Sequence, residues 1–167
     1  MVSLSLRYSE PADAGALAPV LRPEDVDEVR DSSNLEPEEA IALSLRASDV
    51  AFSLFLEGAI AAIFGVGPSD EPSSLAGGQT TGVPWLVTSR AVERHPRPFL
   101  EVCRKLLPVA TERYPVLCNF VDTRHRKALR WARWMGFQVG HPIPFGPRGK
   151  PFHPIVLRRP PCASSFQ

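Results

Sequence analysis

Residues 119–139 read NFVDTRHRKALRWARWMGFQV. The apolar run Val116-Leu117-Cys118-Asn119-Phe120-Val121 leads into this stretch and predicts a strand. Arg124 to Met135 then has helical spacing, Gly136 stands where a left-handed cap is favoured, and Phe137-Gln138-Val139 begins another strand. The predicted helix carries Arg124, Arg126, Lys127, Arg130 and Arg133 and no acid. Ala128, Trp131, Ala132 and Met135 fall on one side and Arg126, Arg130 and Arg133 on another, so the tryptophans are expected to pack inward. Asp122 is expected to cap the helix. A nucleic-acid surface would need exposed aromatics and further basic elements beside this one, so nucleic acid is not expected as a partner.

Working upstream, Phe99, Val102, Leu106 and Val109 recur near every 3.6 residues and predict a helix from Arg97 to Arg113, with Pro108 expected to kink it. Gly82 to Thr88 reads as a strand. The sixteen residues GPSDEPSSLAGGQTTG, 67–82, form the clearest loop. Val50 to Leu56 and Ala59 to Val66 flank Glu57-Gly58 and predict a buried hairpin. Two helices precede it, from Arg22-Pro23 to about Ser32 and from Glu36-Pro37 to about Ser48. Each has proline at its start and acids in its first turn. Leu4 to Tyr8 alternates as a first strand, and Phe152 to Arg158 supplies a last one. The expectation is an α/β (α+β) domain over residues 1–159 with a flexible tail at 160–167. Its mixed, mostly antiparallel sheet would be flanked by about four helices.

With 167 residues, 44% hydrophobic and 22% charged, the chain can bury a core without disulfides or metals. No apolar run is long enough for a membrane span, and the first residues lack the pattern of an export signal. Of the three cysteines, Cys103 and Cys118 lie in apolar patterns and Cys162 in the tail, and none has zinc-site spacing. His95, His125, His141 and His153 form no helical pair, so no metal is expected. No serine stands in a nucleophile-elbow motif. Residues 1–89 carry net −10 and residues 90–167 net +11, so the second part should attract anions.

The strand, His125, Ala128 and Gly136-Phe137 together resemble the closing motif of the GCN5-related N-acetyltransferase superfamily. Several further pieces resemble a phage family with that fold, similar to internal virion protein A of short-tailed phages. They are Leu21-Arg22-Pro23-Glu24-Asp25-Val26, Pro84-Trp85-Leu86, Glu93 to Leu100, Asn119-Phe120-Val121-Asp122, Arg130 to Phe137, Pro144-Phe145-Gly146-Pro147 and Pro151-Phe152-His153.

The superfamily resemblance implies binding of acetyl-CoA pyrophosphate on glycine amides at a helix start, and a tyrosine that protonates the leaving thiolate. Here the corresponding loop reads Arg94-His95-Pro96-Arg97-Pro98-Phe99, where prolines offer no amide hydrogen. The tyrosine position, seven residues beyond His125, is Ala132. Tyr8 and Tyr114 do not have spacing that replaces it. If acetyl-CoA binds, Arg90, Arg94, Arg97 and His125 are the candidate cofactor-binding residues, with Arg104 and Lys105 nearby. Glu57, Asp122 and His153 are candidate bases by residue type alone. The phage resemblance implies a virion or assembly protein without catalysis or cofactor, contacting other phage structural proteins in the particle or the infected-host cytoplasm. The turn from Pro144 to His153 would then be a contact surface. The alternative is an acetyl-CoA-dependent N-acetyltransferase with a diverged pyrophosphate loop.

Overall fold

A computed structural model describes residues 1–69 and 80–160 of the chain. Residues 70–79, most of the expected loop, and 161–167, with Cys162 and nearly all of the expected tail, lie outside the described residues. In chain order the elements are β1 (Leu4–Tyr8), α1 (Asp13–Leu17), a 3-10 turn (Ala18–Val20), α2 (Pro23–Ser33), α3 (Pro37–Ala47), β2 (Val50–Leu56), β3 (Ala59–Pro68) and β4 (Thr81–Thr88). They continue with α4 (Ala91–Arg94), α5 (Pro96–Arg113), β5 (Val116–Asp122), α6 (Arg126–Met135), β6 (Gln138–Val139), β7 (Ile143–Phe145) and β8 (Lys150–Arg158). One sheet runs β1-β2-β3-β4-β5-β8-β6, with β7 also pairing β8. Every pairing is antiparallel except β4 with β5. No helix among the described residues is long and apolar enough to cross a membrane.

The expected mixed, mostly antiparallel sheet is present, with six helices among the described residues rather than about four. The additional ones, α1 and α4, have five and four residues, too few for helical periodicity to register. Strand β7 was also unexpected, since its Pro-Phe-Gly-Pro surroundings read as a turn. It pairs because Pro144 faces Pro151, at a rung where neither residue has an amide hydrogen to give. Pro108 does not divide α5, which runs on as one helix to Arg113. The missing proline amide costs the carbonyl of Arg104 its helical donor.

The helix ends follow the local chemistry. Proline opens α2, with Glu24 and Asp25 in its first turn, and Asn34 closes it at φ 59°. Glu57 (φ 51°) and Gly58 (φ 76°) make the tight turn between β2 and β3, where both central residues must be left-handed.

Each face of the sheet buries its own core. Leu54, Phe64, Val102, Leu117, Leu129 and Phe137 pack beneath α5 and α6. Ala14, Leu17, Ile41, Ile63 and Val87 pack beneath α1 to α3. On the second face, Trp85 lies flat across β3 because Gly65 has no side chain; a Cβ there would stand 2.3 Å from the indole nitrogen. That nitrogen donates to Ser48 Oγ at 2.8 Å and ties α3 to the sheet. Gly67 likewise lets the backbone of Ala47 approach. Gly65→Ala should therefore displace the indole and lower stability by about 1–3 kcal/mol, the usual range for overpacking. Denaturant unfolding followed by tryptophan fluorescence measures this, with a shifted midpoint expected at unchanged slope.

Candidate functional site

Strands β4 and β5 pair only at Thr81–Val116 and Gly82–Leu117. Beyond that point β4 stays with β3 as far as Thr88, and β5 stays with β8 as far as Asp122. The two parallel strands therefore splay apart. Asn119 spans the opening: its Nδ2 donates to the Pro84 carbonyl at 2.7 Å, and its Oδ1 accepts from the Phe120 amide at 2.7 Å. One side chain thus satisfies two backbone groups that lose their strand partner there.

Helix α2 bridges the wide end of the split. Leu21 forms an isolated bridge with Ser89, and the Arg22 amide donates to the Thr88 carbonyl at 3.1 Å, which fixes the start of α2 to β4. Two turns later Glu28 Oε2 accepts from the Asp122 amide at 3.2 Å, which fixes the helix to β5. Between these anchors lies a buried polar cluster. Asp25 Oδ2 accepts from Arg22 Nε at 2.7 Å and from Thr88 Oγ1 at 3.1 Å, while His125 Nε2 stands 3.4 Å from Asp25 Oδ1. The other ring nitrogen, Nδ1, accepts from the Ala128 amide at 3.3 Å. His125 is therefore the cap of α6, and the expected cap Asp122 is not. Asp122 lies four residues before the first helical residue, and its carboxylate instead takes the amide and guanidinium of Arg124.

The charges in this cluster oppose one another. Burial pushes the Asp25 carboxyl up, but the His125 hydrogen bond and the Arg22 charge outweigh it and hold it below 3.8. Burial pushes His125 down, but the Asp25 hydrogen bond and the Glu28 charge outweigh that and raise it above 6.5. A proton on Nδ1 would break the helix cap, so the cap resists the charging that the carboxylates favour. Glu28 is different: it has no ion-pair partner among the described residues, and burial, reinforced by the carboxylates of Asp25 and Asp122, pushes it up to about 7 despite His125 and the Asp122 amide.

Glu28 lines a cavity of about 1150 Å³ that passes through the split. On the α5–α6 side its walls include Phe99, Leu100, Trp131, Lys127 and Arg130. On the α2–α3 side they include Val29, Leu43, Trp85, Phe120 and Phe145. Such a volume lies above the usual range for one small ligand and leaves room for two reactants.

The structure brings only part of the expected site together. Arg90, Arg94 and Arg97 are exposed around α4 and the start of α5, and none lines the cavity. His125 does line it, although its ring nitrogens face Asp25 and the α6 amide. Of the bases suggested by type, Glu57 sits in the β2–β3 turn and accepts from the Ser3 amide at 2.7 Å, and His153 pairs with the Gly140 carbonyl at 2.7 Å. Asp122 is held by Arg124. Tyr114 bonds to Asp49, and Ala132 is fully buried in the core. Glu28, Lys127 and Arg130, together with Arg22, Asp25 and Glu93, are lining charges that the sequence did not single out as site residues. The available signal for Glu28 was its spacing: it lies three residues after Asp25, on the same helix face.

Neither a protein-family profile nor a curated protein matches the chain by sequence. Solved structures match its fold over nearly the whole length. The yncA protein of Salmonella typhimurium, described with its cofactor acetyl-CoA, aligns with TM-score 0.68 and 14% identity over 98% of both chains. An N-acetyltransferase from Staphylococcus aureus Mu50 aligns with TM-score 0.68 and 12% identity, covering 93% of this chain and 98% of its own. This is the GNAT acetyltransferase fold. The aminoglycoside acetyltransferase AAC(6')-Ib, in complex with coenzyme A, also aligns, with TM-score 0.66 and 15% identity over 94% of this chain and 95% of its own.

Acetyl-CoA, which the fold implies, can be tested against the residues present. Backbone groups alternate sides along a strand, so Leu86 turns its N–H and C=O the same way as the Pro84 carbonyl, into the split. There β5 contributes no pairing, and Leu86 offers a donor and an acceptor to an extended, amide-bearing chain. The split therefore fits the pantetheine arm. The helix start fits less well by backbone, because Arg97 is the only one of the first three residues of α5 with an amide hydrogen. Phosphates would fall to side-chain cations, with Lys127 and Arg130 on the cavity wall.

The raised Glu28 carboxyl has a consequence for stability. Its folded value near 7 stands above the ordinary 4.5, so the folded state binds this proton more tightly than the unfolded state. The benefit is complete below about 4.5 and is lost as pH rises through about 7. Glu28→Gln should remove that loss and make the protein more stable than wild type above pH 7, by on the order of 1–3 kcal/mol. Thermal melts of both proteins from pH 4 to pH 8 should diverge across about that window.

Proposed function

We propose that the chain is an acetyl-CoA-dependent N-acetyltransferase that holds its acyl donor in the split with side-chain cations rather than a glycine loop. The observation that carries this reading is the placement of Glu28, a carboxyl pushed up by burial to about 7, on the wall of a cavity lined from both faces of the splayed strands. A general base works best when its pKa lies close to the working pH.

Acetyl-CoA supplies the activated acetyl thioester, whose carbonyl carbon the amine attacks with loss of the coenzyme thiolate. Within the chain, Glu28 takes the first proton from the substrate ammonium and leaves a neutral amine for attack. The second proton leaves the nitrogen as the amide forms and balances the thiolate. The Asp122 amide holds Oε2 of Glu28, and Asp25, fixed by Arg22 and Thr88, keeps His125 beside it. Arg22 and His125 are positioning residues. The wall contributed by Phe99, Leu100 and Trp131 keeps water from the donor side. No tyrosine takes part, in keeping with a buried Ala132 at the expected place. Nothing in the fold or the comparisons favours the virion or assembly role that the phage resemblance implies.

Titration of the purified protein with acetyl-CoA should show saturable binding. At a hundred times the dissociation constant the ligand should add about 2.7 kcal/mol to native stability and raise the melting midpoint by several degrees. Glu28→Gln should keep that shift and lose acetyl transfer by about 10²–10⁴-fold. In the wild type, kcat/KM should rise with pH through about 7, the Glu28 value. Absence of binding at millimolar acetyl-CoA would overturn the reading.

A further inference from the structure

Resting on the acetyltransferase reading, we infer that the acceptor is a monoamine carried on an apolar body, such as an arylalkylamine, and not a polyamine or a polyhydroxylated aminoglycoside. The first ground is charge. Among the described residues three carboxylates line the cavity, Asp25, Glu28 and Glu93. Asp25 is paired with Arg22 and His125, and Glu93 with Lys127. Glu28 alone among them forms no ion pair with a described residue, so the wall described offers one carboxylate to a substrate ammonium. A polycation would leave its further charges without a carboxylate partner on this wall, since the other lining carboxylates of the described residues are already paired.

The second ground is the wall on the α2–α3 side, where the acceptor would lie across the sheet from the donor arm. Leu43 is half exposed there, and Trp85 closes the sheet. Phe120 stacks on Phe145 with ring centroids 4.0 Å apart, two residues along β5 from the amide that holds Glu28. Most of the polar side chains on this wall are already engaged. Ser32 and Ser33 hydroxyls donate to the Val29 carbonyl, Ser33 also accepts from the Leu35 amide, and Ser48 accepts from Trp85. A sugar ring bearing many hydroxyls would find few free partners, and each unmatched hydroxyl would lose its water without replacement. An aromatic body suits this wall, and its ammonium would sit at the Glu28 carboxylate beside aromatic faces.

The test compares phenethylamine, spermidine and kanamycin as acceptors, following thiol release from acetyl-CoA, with acetyl-CoA binding measured separately by calorimetry. The expected result is a kcat/KM for phenethylamine at least tenfold above either of the others. Leu43→Glu, at an exposed helix position that the fold does not need, should raise the KM for phenethylamine severalfold and leave acetyl-CoA affinity unchanged. Faster transfer to spermidine or kanamycin, or a Leu43→Glu enzyme with unaltered KM, would overturn the acceptor class and leave the acetyltransferase reading standing. Binding of acetyl-CoA without transfer to any of the three would also overturn the acceptor class. Failure of acetyl-CoA to bind at all would overturn both.

Discussion

Two parallel strands that share only two rungs govern this structure. A sheet interior with a gap in its ladder exposes backbone donors and acceptors that must be matched, because an unpartnered buried amide or carbonyl costs about as much as a lost hydrogen bond. The chain meets that demand with Asn119 at the narrow part of the split and with α2 at the wide part. The cavity follows from those two supports, since they hold β4 and β5 apart and leave Leu86 turned into the opening.

The polar cluster is the price of that arrangement. Arg22, Asp25 and His125 are all buried, and breaking such a group by removing one partner strands the others in a poor solvent. Among the described residues, no buried side-chain nitrogen or oxygen is left without a hydrogen-bond partner. Glu28 stands apart within it, since a single backbone amide satisfies only one of its oxygens. A carboxylate so weakly supported is held near neutrality by its surroundings, which is the condition for taking up and giving back a proton at ordinary pH.

Much of the fold was legible in the sequence because its long elements are strongly patterned. The hairpin around Glu57-Gly58, the proline-led helices and the run from Val116 to Val139 each carry their own start and stop signals. Helices of four or five residues and a proline-bearing strand carry none, so α1, α4 and β7 emerge only in three dimensions. The site was less legible. That prolines occupy the helix start, and that alanine stands where a tyrosine would be expected, is visible in the residues themselves. That Arg90, Arg94 and Arg97 turn outward while Lys127 and Arg130 reach the wall depends on how the helices rotate. Glu28 could be picked out from its spacing to Asp25, but its raised pKa comes chiefly from burial against residues distant in the chain, such as Asp122, 94 positions away.

That separation bears on the order in which the molecule assembles. The pairing of β2 with β3 closes a two-residue turn, and β5 with α6 is nearly as local. The contacts that complete the site, Glu28 to Asp122 and Asp25 to His125, close loops of 94 and 100 residues. Loop closure of that length carries a large entropic cost before any contact rewards it, and proteins rich in such contacts fold slowly. A chain therefore holds its β2–β3 hairpin before it holds the Glu28–Asp122 contact. The split cannot acquire the Glu28 carboxyl until β5 has left the ribosome and α2 has been drawn across to meet it.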